Sequence, residues 1–273
     1  MDFKRIEWIF LITFAVIDFF LFAIVRQNRN IQNESINQDS STATIIKDMR
    51  DDQISVGNVS DKTPYGYYIS ATQNNSLKSA LRSNQLYNQT VSFNGNKLHS
   101  SFKRQYVITD KKHPENTANK ILTNTKLIQF GKNYSYNANL STNNEIVYTE
   151  NAENRYLYSK EAQIKFKVNK GVLTGYSQTY LNMVNPLREG TKALSGRKAL
   201  AILYQNNNIP SNSKIEWIDL AYTKLLTMKN NIIFVPTWIV VYKTNNSETL
   251  QMNEVNAFNG TVLKNENTST VSN

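Results

Sequence analysis

From Trp8 to Val25 the chain reads WIFLITFAVIDFFLFAIV, a run in which only Thr13 and Asp18 are polar. Counted from Ile6 it is long enough to give about 30 Å of helix at about 1.5 Å per residue, the thickness of a bilayer core. The run ends Phe22-Ala23-Ile24-Val25-Arg26. It lacks the small-x-small site of a cleaved signal peptide, and no lipobox cysteine follows, so the pattern predicts an uncleaved anchor over residues 6–25. Lys4 and Arg5 flank one end and Arg26 and Arg29 the other; with so short a leader, a cytoplasmic N-terminus is the expectation. Asp18 lies near the middle of the span, where an ionised residue costs roughly 2.5 to 3.5 kcal/mol to insert. Protonation would relieve that cost. So would a partner helix against the face formed by Leu11, Ala15, Asp18 and Phe22, with the small Ala15 allowing close approach.

Beyond the anchor, residues 26–39 are polar and rich in asparagine and read as a juxtamembrane stalk. Ala43, Ile46, Met49 and Arg50 then have helical spacing, and Tyr65 to Thr72 reads as a strand after Pro64. A helix is expected from Pro114 to Phe130, with Ala118, Ile121, Leu122, Thr125 and Ile128 on one face and Gly131 as its stop. Ile164, Phe166 and Val168 alternate with polar residues, and Asn169-Lys170-Gly171 turns the chain into Val172 to Tyr180 as a hairpin. Ser195 is placed to cap a short helix whose Ala199, Ile202 and Leu203 face inward. The last third predicts strands at 215–227, 232–242, 250–258 and 261–263, with Asn259-Gly260 as a turn. Pro236 argues for an edge, a bulge or a break in the second of these. Helices that punctuate antiparallel strands, without regular strand-helix alternation, indicate an α+β class. A divergent duplication, each half pairing a helix with an antiparallel sheet, is left open.

Composition narrows the chemistry. The 273 residues contain no cysteine, which removes disulfides, thiolate metal sites and thiol nucleophiles. The formal net charge is +10. Residues 1–29 hold four basic and three acidic residues, a net of +1, so +9 lies beyond them. A basic exposed domain is attracted weakly to anionic lipid or anionic wall polymer. No dense basic helix or finger motif is present, so nucleic acid is not expected as a partner.

The two histidines, His99 and His113, stand in unrelated contexts and read as exposed loop residues, too few for a His-based metal site or a nucleophilic triad. No G-x-S-x-G, H-E-x-x-H, phosphate loop or dinucleotide fingerprint occurs. Ser195-Gly196-Arg197-Lys198 matches S-x-x-K, but K-T-G and S-D-N are missing and Ser100 to Lys103 repeats the pattern, so helix capping is the better account. Glu150 and Glu153 could be imagined as a glycosidase pair, but the sequence gives no separation between them and a solvated loop is the better account. Tyr148, Tyr156, Tyr158, Tyr176 and Tyr180 fall at strand spacing and read as core or half-buried sheet positions. No catalytic residue, metal or cofactor is expected; a binding or interaction protein is left.

The opening MDFKRIEWIFLITFAVIDFFLF resembles the N-terminus of the YycI (WalI) family, membrane-anchored accessory proteins of the YycG/WalK sensor histidine kinase of low-GC Gram-positive bacteria. Further similarity lies in the order of AQIKFKVNKGVLTGYSQTYL, ALSGRKALAILYQNNNIP, IEWIDLAY, FVPTWIVVY and VNAFNGTVL. The last two resemble endings found in YycI and in PepSY-like modules. Residues 30–140 fit only loosely. The resemblance implies a single-pass protein with a cytoplasmic segment 1–5, a transmembrane helix 6–25, a stalk 26–39 and extracytoplasmic subdomains at 40–110 and 111–268, the second YycH-like or PepSY-like. It implies association with the kinase and with the companion YycH (WalH), no catalysis, and an effect on cell-wall metabolism. It carries over no functional residue except positions of the membrane helix, including Asp18. The alternative is a membrane-tethered PepSY-like inhibitor or binding module for an exported protease or wall hydrolase.

Overall fold

The computed structural model describes residues 3–33, 38–83, 85–245, 247 and 249–263. They fall into two units, residues 1–48 and 49–273. The first is dominated by α1 (Phe3–Asn33), which no Gly or Pro interrupts. Phe10 and Phe14 stack one turn apart with ring centres 6.4 Å from each other. Thr13 returns its hydroxyl to Ile9 O at 2.8 Å, so its polar group is satisfied within the helix. Helical backbone runs on through residues 26–33, where a stalk was expected, because that stretch lacks a breaker; residues 34–37 of the expected stalk lie outside the described residues. Among the described residues no helix is long and apolar enough to cross a membrane. Side chains of α1 are described only from Glu7 to Phe22, so the expected span of 6–25 runs past them at both ends.

A second helix, α2 (Gln38–Asp51), occupies the region where Ala43, Ile46 and Met49 have helical spacing. After it come β1 (Tyr65–Gly66), β2 (Ile69–Gln73), α3 (Ser76–Ser83), β3 (Gln89–Asn94), β4 (Lys97–Val107) and α4 (Glu115–Leu122). The chain continues through β5 (Tyr134–Tyr136), β6 (Glu145–Ala152), β7 (Arg155–Tyr158), β8 (Gln163–Asn169), β9 (Val172–Gln178), β10 (Leu181–Pro186) and β11 (Thr191–Lys192). It closes with α5 (Gly196–Gln205), β12 (Ser213–Met228), β13 (Asn231–Thr244), β14 (Gln251–Asn256) and β15 (Val262–Leu263).

The main sheet runs β10-β2-β13-β12-β7-β6-β8-β9-β4-β3, with β14 and β15 added to β13 and β5 to β6. Two hydrophobic clusters divide it. Leu77 of α3 and Ala118, Ile121 and Leu122 of α4 pack with Leu98, Ile146, Phe166 and Tyr176 on the half built from β3, β4, β6, β8 and β9. Leu98 and Ile108, on one side of the expected 110/111 division, thus share a core with Ile121 and Tyr176 on the other. The second cluster joins Ile69, Leu157, Leu181, Tyr222 and Phe234. The halves meet where β7, antiparallel to β6 at Asn151↔Tyr156, runs parallel to β12 at Tyr222↔Leu157. After β1, which pairs with β11 in a separate two-stranded ladder, the chain builds β2 of one half, leaves to form most of the other over residues 76–178, and returns at β10 to pair with β2.

Several expectations are modified. The strand expected at 65–72 is split, since Tyr67 N–H bonds the Tyr222 hydroxyl at 3.3 Å instead of a neighbouring strand. The helix expected at 114–130 stops at Leu122, where Thr123 returns its hydroxyl to Asn119 O at 3.0 Å and Asn124 O captures the N–H groups of Leu127 and Ile128. Pro236 lies inside a central strand, opposite Tyr222. Within a strand, the N and C=O of one residue point to the same side. Pro236 O accepts from Ala257 N at 2.8 Å, so its missing donor faces the interval between β2, which pairs as far as Phe234, and β14, which starts opposite Thr237. Gly66 must be glycine here, because a Cβ would stand 2.6 Å from Pro236 Cγ.

Candidate functional site

Leu11, Ala15, Asp18 and Phe22 follow one another at spacings of four, three and four along α1, which places them on one face of the helix. All four are exposed, Leu11 at 64% and Phe22 at 61%. The same holds around the helix, from Trp8 at 67% to Phe19 at 76%. A surface this apolar is unfavourable in water, and it is the natural face for lipid or another apolar helix.

In the second unit the residues with possible chemistry do not converge. Ser195 Oγ accepts Lys198 N–H at 3.2 Å and caps α5, which accounts for the S-x-x-K pattern there. Ser100 lies within β4 and donates to Gln89 Oε1. His113 is exposed, with Nδ1 3.1 Å from Glu115 Oε1. His99 was expected in a loop; it is half-buried in β4, where the ladder places it opposite Ser92 and Ser177. Among the described residues no group of three or more His, Asp or Glu is arranged to hold a metal ion. The tyrosines serve as sheet residues with polar handles: Tyr148 donates to Asn119 Oδ1 at 2.7 Å and Tyr176 to Leu127 O at 2.9 Å, tying α4 and the segment after it to the sheet.

Glu150 departs most from its expected solvated loop. It lies in β6 at 2% exposure, because its neighbours Tyr148 and Ala152 hold the strand in the middle of the sheet. Leu181 N–H donates to its Oε1 at 2.8 Å, where the chain passes from one half of the sheet to the other. Burial is the main cause that pushes its carboxyl up to about 8, against smaller stabilisation from Leu181 and from the Tyr134 hydroxyl. Burial and the nearby Glu150 in turn hold the Tyr134 phenol well above its ordinary range. Tyr134 also donates to Thr179 O, while Gln178 Oε1 has no partner. Both shifts favour the protonated forms of the two groups. Glu153, three residues on, is exposed in the turn to β7, so the two carboxyls share no site. The signal for Glu150's burial is that Tyr148 and Ala152, two residues away on either side and so on the same face of the strand, are apolar.

No curated protein matches the chain. A crystal structure of an uncharacterized protein from Eubacterium rectale is similar at 9% identity, covering 78% of this chain and 89% of that one with a TM-score of 0.40. The C-terminal domain of Bacillus megaterium YpeB is similar at 12% identity, covering 83% of this chain and 97% of that one with a TM-score of 0.34. The model of the family described as YycI protein matches residues 32–258, which begins after the apolar run of α1 and takes in α2 to β14. That match spans well over half of the chain, and the chain belongs to the YycI family.

Proposed function

We propose that the protein is a non-catalytic regulatory subunit that associates with a membrane sensor histidine kinase of the YycG/WalK kind and with its companion YycH, and so tunes signalling in cell-wall homeostasis. Membership of the YycI family carries this reading. In it, residues 6–25 form a single membrane span with the N-terminus in the cytoplasm and the second unit outside; the unbroken α1 and its exposed apolar side chains support that placement. The face of Leu11, Ala15, Asp18 and Phe22 is the contact for a partner helix, where Asp18 finds a hydrogen-bonding group in place of lipid. The basic charge adds a weak attraction of the outer unit to anionic lipid or wall polymer.

Regulation of this kind requires that the subunit bind two kinase conformations with different affinities, since equal binding shifts no equilibrium. Purification from native membranes tests the contact. Asp18→Leu should leave the protein in the membrane and lower recovery of the kinase by about tenfold, the loss expected for about 1.4 kcal/mol of helix-helix interaction. Undiminished recovery would remove this face from the mechanism.

A further inference from the structure

On its β13 side β12 is paired along its length. Its other side is paired only at the ends of one interval. Ser55 bridges the start, with Ser55 N–H bonding Ser213 O at 2.9 Å and Ile215 N–H bonding Ser55 O at 3.0 Å. Leu157 and Tyr158 of β7 take up Tyr222 and Thr223. Between them, Glu216 to Ala221 has no strand partner on that side among the described residues. Six residues of strand are about 20 Å long at about 3.3 Å per residue.

The opening has a shape and a charge. A cleft of about 360 Å³ lies where β7 and β12 splay apart, lined by Lys62, Arg155, Tyr156, Asp219, Leu220 and Trp238. Trp238 is held by its indole N–H, which donates to Leu194 O at 2.8 Å. Arg155 follows directly on a turn in which Glu153 and Asn154 both have positive φ, at 47° and 60°. That turn sets Arg155 in the lining of the cleft. Neither Arg155 nor Lys62 has a carboxylate within ion-pairing distance among the described residues. Asp219 instead turns its Oδ1 onto the next residue's N–H, Leu220 N, at 2.8 Å. A carboxylate there covers one donor of an otherwise open strand edge, as charges on exposed edges do.

We propose that this gap is a docking site for an extended peptide that carries a carboxylate. The peptide adds to β12 between Glu216 and Ala221 through main-chain hydrogen bonds and sets its carboxylate against Arg155 and Lys62. Strand addition fits an edge of this length, and the two cations outnumber the one acid in the cleft. To bond Leu220 N–H, the peptide displaces the Asp219 carboxylate. The site lies outside α1 and does not depend on the regulatory reading above.

The test uses the full chain in detergent micelles and fluorescein-labelled acetyl-Thr-Val-Glu-Val-Thr-amide, with Gln in place of Glu as the comparison peptide. The Glu peptide should bind about tenfold more tightly than the Gln peptide, and Arg155→Gln should abolish that difference. Lys62→Gln, at an exposed position that packing does not need, should weaken binding about threefold, whereas Asp219→Ala should strengthen it. Amide hydrogen exchange at residues 216–221 should slow on binding, and Lys167→Gln on β8 should change nothing. No binding at about 1 mM, equal affinity for the two peptides, or binding without slower exchange at 216–221 would overturn the proposal.

Discussion

Glu150 illustrates what burial does to a carboxyl that no cation compensates. In the unfolded chain it ionises near 4.5, and in the fold at about 8. Below pH 4.5 both states keep the proton and the residue has no pH-linked effect. As pH rises from 4.5 to 8, the unfolded chain releases the proton while the fold retains it, so stability falls, and the full loss is present above 8. Glu150→Gln keeps an acceptor for Leu181 N–H and has no proton to lose. It should exceed the parent in stability by on the order of 2 to 3 kcal/mol at pH 7 and match it near pH 4, as read by thermal melts at the two pH values. An equal difference at both would refute the assignment. Gly175 is constrained by space, since a Cβ would collide with the carbonyl oxygen of Ser100 on β4. Gly175→Ala should therefore destabilise by about 2 kcal/mol or more, measured in the same way.

At the level of elements, the clearest local signals translate directly into structure. The alternation of Ile164, Phe166 and Val168 and the Lys170-Gly171 turn, with φ of 50° and 77°, give the β8–β9 hairpin. The Ser195 cap gives α5, and Ser195→Ala should lower stability by about 1 kcal/mol, the usual worth of an N-cap, with the melting temperature as readout. The misses have equally local causes. The β3–β4 hairpin, absent from the expected strands, turns on Gly95-Asn96, a two-residue pair with Gly95 at a φ of 57°. The end of α4 was not legible, because Thr125 and Ile128 keep the helical spacing while Thr123 and Asn124 bend the backbone away. Pro236 misled in the other direction. Its tolerance depends on the interval between the first residue of β2 and the last residue of β14, which no window around residue 236 contains.

For the whole molecule, the order of elements in sequence and in space diverge. One half of the sheet is formed by residues on both sides of the 76–178 insertion, so a linear division of the chain could not describe its two cores. The same divergence hid the β12 cleft, which gathers residues 62, 155, 219 and 238 from four separate stretches. By contrast, the α1 face was legible, since a helix of fixed period puts Leu11, Ala15, Asp18 and Phe22 together by spacing alone. Family membership was legible too, through the order of several short segments. Regulation of a kinase is read most directly as the autophosphorylation rate of the sensor kinase reconstituted in nanodiscs, alone and with this protein in excess. The rate should change by at least about twofold, and the change should be lost when residues 6–25 are replaced by an unrelated membrane helix. The same rate with and without the protein, under conditions where the two co-purify, would contradict it.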